Sequence, residues 1–249
     1  MGEFKDFFGK NAEKYAASES HKSGKDLSIL ISSLNLKRTD KCLDLAAGTG
    51  FTSMELAKRT RSVVAYDGTE EMLKEAEKLS MKEGIENISF TLGRVESLPF
   101  ESSSFEIVTT RRAAHHFEDK QKFLRESFRV LKSGGLIGIA DLVEPEEDMN
   151  GLFDRLEAIR DPSHVKAEKI SQWRKLVTKA GFKISFTEEL IDPTDFLKWL
   201  YPVEPESAPG KEAIEFINNC NVYELKEMDF NRDKMVLRKH RMVLVASKP

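Results

Sequence analysis

Through the first two thirds of the chain, short apolar runs alternate with segments whose apolar positions recur at helical spacing. The runs Lys41–Ala46, Ser62–Asp67, Ile88–Leu92, Phe105–Thr109 and Leu136–Asp141 predict strands. Between them Thr52–Thr60, Thr69–Glu83 and Lys120–Leu131 predict helices. In the second of these Met72, Leu73, Ala76 and Leu79 recur at helical spacing, Thr69 is the expected N-cap, and Gly84 supplies the C-terminal stop. Gly134-Gly135 is expected to stop the third in the same way. Regular β–α alternation implies an α/β fold with parallel strands, right-handed crossovers and helices on both faces of the sheet. Ligands of such sheets bind beyond the C-terminal ends of the strands.

The last third has a different pattern. A helix over Lys169–Ala180, closed by Gly181, leads to a strand at Lys183–Glu188, and another strand, Met242–Ser247, ends the chain. The segment 190–239 between them carries helical pieces around Thr194–Tyr201 and Lys211–Asn219, separated by the proline-bearing stretch Pro202–Pro209. Phe196, Trp199, Leu200, Phe216 and Ile217 give these pieces an apolar side. We read this segment as a helical cap over the ligand edge, so that residues 1–249 form a single domain. Residues 1–35 are then an N-terminal helical lid, with Phe8, Ala12 and Tyr15 at helical spacing, and 40–145 form the ligand-binding core.

Composition narrows the class without changing this outline. The net charge of −3 is spread over 39 basic and 42 acidic side chains, without the basic face a nucleic-acid partner demands. Two cysteines are too few for a disulfide framework or a thiolate metal site, and Cys42 falls in a strand expected to be buried. No two histidines stand at metal-ligand spacing beside an acid, so no metal is expected. The N-terminus is charged from the start and no apolar run is long enough for a membrane helix. These features predict a cytoplasmic protein. They say nothing certain of oligomeric state, and a homodimer remains open.

The chemistry concentrates at Cys42-Leu43-Asp44-Leu45-Ala46-Ala47-Gly48-Thr49-Gly50. Gly48 and Gly50 permit a tight turn and close approach of a ligand to the backbone. Asp67 lies nineteen positions after Gly48 at the end of the next apolar run, where a βαβ unit presents a carboxylate to a nucleoside ribose. A third glycine of G-x-G-x-x-G is missing, since Phe51-Thr52-Ser53 follows Gly50, and no Gly-Lys-Ser/Thr follows the turn. There is no Gly-x-Ser-x-Gly hydrolase elbow either.

The glycine turn, Tyr66-Asp67 with Glu71-Met72-Leu73, Leu98-Pro99-Phe100, Phe105-Glu106-Ile107-Val108 and Arg129-Val130-Leu131-Lys132-Ser133-Gly134-Gly135, taken in order, resemble the class I S-adenosylmethionine-dependent methyltransferases. Ala113-Ala114-His115-His116-Phe117 looks like the branch that includes quinone C-methyltransferases, and Arg160-Asp161-Pro162-Ser163-His164-Val165 resembles a narrower subgroup within it. The resemblance implies a Rossmann-like, mostly parallel seven-stranded sheet whose last strand is antiparallel. It also implies S-adenosylmethionine as cofactor and a small-molecule methyl acceptor.

By the same resemblance Asp44 and the turn through Ala46, Gly48 and Gly50 line the methionine part of the cofactor. Asp67 accepts from both ribose hydroxyls, Gly68 admits the ribose, and Met72 packs near the adenine. Two positions depart from the family pattern. Ala46 replaces a glycine, which is tolerable if its φ is negative. Arg94 replaces the acid that accepts from the adenine amino group, and an arginine cannot accept. Adenine contact then falls to backbone groups near Arg94, to Val95 or to Glu96.

His115 and His116 follow the fourth strand, where an imidazole can take a proton from an acceptor, or where the pair merely holds the loop. His164 is a further candidate base. Arg111 and Arg112 sit at the strand tip, where they bind an anionic group or pair with a surface carboxylate; Arg111 is grouped with the cofactor residues. Tyr15, Arg160 and Asp161 are the candidate acceptor contacts, although Asp161 or Ser163 could simply cap a helix. Two other functions fit the turn alone: an S-adenosylmethionine-binding module without turnover, and an NAD-dependent oxidoreductase.

Overall fold

The computed structural model describes residue 9 and residues 11–249; Phe8, assigned to the N-terminal lid, lies outside the described residues. Among these, eight strands form one sheet: β1 (Lys41–Leu45), β2 (Ser62–Asp67), β3 (Ile88–Leu92), β4 (Phe105–Arg111), β5 (Leu131–Leu142), β6 (Lys183–Asp195), β7 (Phe230–Asn231) and β8 (Val236–Ser247). Their order is β3-β2-β1-β4-β5-β8-β6, with β7 paired to β8. The strands from β1 to β5 pair in parallel, and β8 runs antiparallel to both β5 and β6. This is the expected Rossmann-like sheet with its antiparallel last strand, and the two-residue β7 is the eighth member.

Helices cover both faces. On one, α2 (Lys25–Ser33) and α3 (Phe51–Ala57) bury Leu27, Leu30, Ile31 and Leu56 against Cys42, Val63, Ile107 and Val243. Gly138 makes that approach possible, since a Cβ there would stand 2.7 Å from Leu30 Cδ1. The Cys42 thiol is buried, which pushes its pKa up to about 12. On the other face α5 (Lys120–Val130) and α7 (Ile170–Lys179) bury Phe123, Leu124, Trp173 and Val177 in a larger core. The short α1 (Glu19–Ser23) precedes α2, and residues 11–16 are helical before it.

The boundaries differ from expectation where backbone pairing continues without an apolar run. β6 and β8 pair as far as Asp195↔Val236, through polar stretches such as Asp192-Pro193-Thr194-Asp195. The segment between them therefore shortens from 190–239 to 196–235. It folds as α8 (Phe196–Leu200), α9 (Ala208–Asn219) and α10 (Val222–Glu227), and packs with α6 (Leu152–Arg160) in a second core built on Phe153, Leu156, Phe196, Trp199 and Ile217. β5 likewise starts at Leu131, so Gly134, with φ +77°, lies within the strand and does not cap a helix.

One local expectation holds in position but not in its bond, and another fails. Thr69 stands at the N-cap of α4 (Glu70–Lys82), but its hydroxyl makes no capping bond; instead its N–H donates to Asp67 Oδ1 at 2.8 Å. Ala46 has φ +52°, in the left-handed region, because the turn still demands the glycine conformation that the residue type resists.

Candidate active site

The turn after β1 is held by its own backbone: Ala47 N–H donates to Tyr66 O at 3.1 Å and Gly50 N–H to Ala47 O at 2.9 Å. Beneath it Asp44 accepts from Ser53 Oγ at 2.6 Å and Thr109 Oγ1 at 2.8 Å, tying β1 to α3 and β4. Burial pushes the Asp44 carboxyl up to about 6 against the lowering effect of those hydroxyls. At the tip of β2 the two oxygens of Asp67 accept from Gly48 N–H and Thr69 N–H, each at 2.8 Å. Burial raises its pKa, and these backbone donors oppose the rise. Its carboxylate is thereby fixed in orientation at the wall of a cleft that Ala46, Gly48, Met72 and Arg111 also line.

That cleft is the smaller of two lobes. Tyr15, His21, Arg112 and His116 line both it and a larger lobe of about 280 Å³. His115, Glu157, Arg160, Asp161, Trp199, Lys239 and Arg241 complete much of the larger one. The junction is thus built by the N-terminal helical segment, by the loop after β4, and by nothing from the glycine turn.

Burial shifts three of the four junction side chains from their ordinary pKa values. Burial and the neighbouring Arg112 and Arg111 lower the His21 pKa to about 3, and its Nδ1 lies 2.8 Å from Ser18 Oγ. His116 is lowered to about 3 by burial and by His115, and its Nδ1–H donates to Ser163 O at 2.9 Å. Both imidazoles are neutral at ordinary pH. Burial and the Asp161 charge push the Tyr15 hydroxyl up to about 12. His115 differs from them. Burial opposes its charge, but Asp141, which accepts from His115 Nδ1 at 2.6 Å and from its backbone N–H at 2.8 Å, more than compensates, so its pKa is raised. Asp141 is correspondingly lowered. The arrangement fixes the Nδ1–H tautomer and leaves Nε2 to accept a proton.

Arg111 and Arg112 both fork onto Asp26 of α2, with donor–acceptor distances of 2.8 to 3.1 Å. Neither is a surface pair, since their side chains are 5% and 12% exposed. Arg112 itself holds φ +54°, a sparsely populated conformation at the lobe junction. In the larger lobe Arg160 pairs with Glu157 at 2.7 Å, and Trp199 Nε1–H donates to the other Glu157 oxygen at 3.2 Å.

Of the residues expected to form the site, Ala46, Gly48, Asp67, Met72 and Arg111 line the smaller lobe, His115, Arg160 and Asp161 the larger, and Tyr15 and His116 both. Asp44, Gly50, Gly68 and Val95 are not brought to either lining. Arg94 turns outward to Glu96 and Glu118, at 3.4 and 3.2 Å. His164 points its Nε2 at Asp154, 2.7 Å away, and is buried outside the cavity. A base role for it is therefore corrected to that of an internal hydrogen-bond partner of Asp154. The residues that sequence reasoning missed are His21, Asp26, Asp141, Trp199, Lys239 and Arg241. Asp141 alone left a signal, as an acid at the end of a predicted strand.

A nucleoside cofactor fits the smaller lobe on three counts. Asp67 is pre-oriented, Met72 supplies apolar cover, and a Cβ added to Gly48 would meet no atom within 4 Å, so that turn faces open space.

A sequence profile described as a methyltransferase domain matches residues 36–190. The Bacillus subtilis (strain 168) protein YcgJ, an uncharacterized methyltransferase, is 34% identical over 221 residues, covering 86% of this chain and 84% of its own. The ubiquinone/menaquinone biosynthesis C-methyltransferase of Cronobacter sakazakii is 33% identical over 48% of this chain and 49% of its own length. The crystal structure of the B. subtilis YcgJ protein superposes with a TM-score of 0.84 at 26% identity, over 91% of this chain and 99% of that one. Among the described residues no helix is long and apolar enough to cross a membrane.

Proposed function

The chain belongs to the class I S-adenosylmethionine-dependent methyltransferases, and from that premise we propose that it methylates a small molecule bound in the larger lobe, with S-adenosylmethionine in the smaller. The observation that carries this reading is the junction of the lobes at Tyr15, His21, Arg112 and His116. A donor anchored at Asp67 reaches an acceptor only there.

Asp67 would hold the two ribose hydroxyls, the turn from Ala46 to Gly48 the methionine part, and Met72 the adenine. With Arg94 turned outward, backbone groups carry the polar contacts of the adenine. When bound, the cofactor supplies a methyl group already activated on a sulfonium. The protein then has to position the acceptor, exclude water and accept a proton. His115 Nε2 is the proton acceptor in this scheme, with Asp141 holding its tautomer. The neutral His116 and His21 serve as polar walls, because imidazoles with so low a pKa are weak bases. Residues 1–249 act as one domain, in which the N-terminal helical segment and residues 196–235 close the larger lobe.

Isothermal titration of the purified protein with S-adenosylmethionine and S-adenosylhomocysteine tests this directly. Both bind, and Asp67→Ala weakens both by about tenfold or more. Absence of binding to either, in folded protein, overturns the reading. Binding with no demethylated product over a broad acceptor panel would favour a module that does not turn over.

A further inference from the structure

Among the described residues, the lining of the larger lobe carries more cations than carboxylates. Lys14, Arg112, Arg160, Lys198, Lys239 and Arg241 line it, against the two carboxylates of Glu157 and Asp161. Arg160 uses Glu157 at 2.7 Å, and Arg112 shares Asp26 with Arg111. Among the described residues Arg241, with its side chain 14% exposed, pairs only with Asp192, at 3.1 Å, and Asp192 is itself mostly in solvent.

Lys239 is different again. It lies two residues before Arg241 on β8, so the two side chains leave the same face of the sheet. It is half-buried, and its ammonium makes no hydrogen bond or ion pair with a described residue. The groups that act on it are Arg241 and Arg160, both cationic, and the acids Glu157 and Asp192, each of which already has an arginine partner. Burial and Arg241 together push its pKa down to about 8. A desolvated cation without a partner is costly to keep, and an anion from outside would relieve that cost. Leu142, Trp199 and Pro202 give the same lobe an apolar wall.

We propose that the larger lobe takes a small organic anion, a carboxylate or a phosphate monoester carried on an apolar body, with the anionic group seated on Lys239, Arg241 and Arg160. The apolar body then lies on Leu142 and Trp199, and the remainder faces His115 and His116. This rests on reading the larger lobe as the acceptor site, and it names the class of acceptor. Lys239 is the specificity-determining residue, because the other cations of the group each have an acid of their own.

The test is calorimetry on the full chain at pH 7 and constant ionic strength. The probes are benzoate and phenyl phosphate, and the neutral controls are benzamide and benzyl alcohol. S-adenosylhomocysteine is titrated into the same preparations. At least one anion binds saturably, about tenfold or more tighter than either neutral control. Whichever anion binds tighter identifies the headgroup. Lys239→Met reduces the preference to about threefold or less, and Lys239→Arg, which keeps the charge, retains it. Both variants keep S-adenosylhomocysteine affinity within about twofold of the parent, which also verifies their folding. Equal binding of anions and neutral controls, no anion binding, or an anion preference that survives in a folded Lys239→Met protein overturns the proposal. Anion binding without S-adenosylhomocysteine binding leaves this site standing and overturns the assignment of the cofactor lobe. The reverse result overturns the anion site alone.

Discussion

At position 46 a side chain occupies a backbone conformation that favours glycine. The φ of +52° brings the Ala46 Cβ toward a carbonyl oxygen, at a cost of about 1–2 kcal/mol. Replacing it by glycine removes that strain and adds about 0.4–1 kcal/mol of chain freedom to the unfolded state. Ala46→Gly should therefore raise stability by roughly 0.5–1 kcal/mol, seen as a higher urea midpoint at unchanged slope; a lower midpoint refutes the strain argument. A second residue-scale expectation concerns His115 and its surroundings: burial opposes its charge, Asp141, Glu157 and Asp161 favour it, and that charge in turn helps lower the pKa of His116, whose tilted ring lies 4.0 Å away. Its folded pKa is raised, so its contribution is complete below the ordinary imidazole value and fades as pH rises through the folded one. Asp141 is lowered, so its contribution is complete above the ordinary carboxyl value and is lost as pH falls through the folded one. Both act together between about pH 4 and pH 6.5. The stability difference between the parent and Asp141→Asn should be largest in that window and shrink toward pH 8, and the His115 ring signals in an NMR titration should move to a lower pKa in the variant. A difference that grows steadily with pH would reverse the sign of this argument.

At the scale of elements, a single carboxylate joins helix α2 to the tip of β4. Asp26 is 2% exposed and accepts from two arginines, and its pKa lies well below the ordinary carboxyl value because both guanidiniums outweigh its burial. Its stabilising effect holds through neutral pH and is lost only in strong acid. Asp26→Ala would remove the carboxylate that two adjacent buried cations share and should cost about 3–5 kcal/mol in chemical denaturation; a loss under about 1 kcal/mol would show that other groups or solvent take its place. Nothing in the sequence announced this clamp. Asp26 sits in a helix with ordinary amphipathic spacing, and its partners are far away along the chain. The same holds for the extended β6–β8 pairing. Its inner half has the apolar alternation that marks a strand, whereas the outer half is polar and is held by backbone hydrogen bonds, which leave no imprint on residue type. Local periodicity located β1, β2 and β4 closely because those strands are buried and their side chains are therefore restricted.

At the scale of the whole molecule, legibility divides along the same line as the two lobes. One side of the smaller lobe is assembled from consecutive strand ends, β1 and β2 with their following turns, so glycine spacing and the position of Asp67 carried it into view; its other side, with Tyr15, His21, Arg111, Arg112 and His116, is as dispersed along the chain as the larger lobe. The larger lobe gathers Tyr15, His115, Arg160, Trp199, Lys239 and Arg241 from segments spread over nearly the entire chain. Only tertiary packing, through the antiparallel return of β8 and the second core around Trp199, places them together. The division has a thermodynamic consequence. A ligand that binds only the folded protein adds about 2.7 kcal/mol of stability at a hundredfold excess over its dissociation constant. For a domain of this size that corresponds to a rise in Tm of roughly 5–10 °C. S-adenosylhomocysteine at that excess should produce such a rise, Asp67→Ala should abolish most of it at the same concentration, and NAD should produce none. Because Lys239 and Arg241 take no part in the smaller lobe, Lys239→Met should keep the full rise. If the shift instead tracked Lys239 and ignored Asp67, the cofactor would have to be placed in the larger lobe, and the order of the two sites along the sheet would be the reverse of the one argued from Asp67.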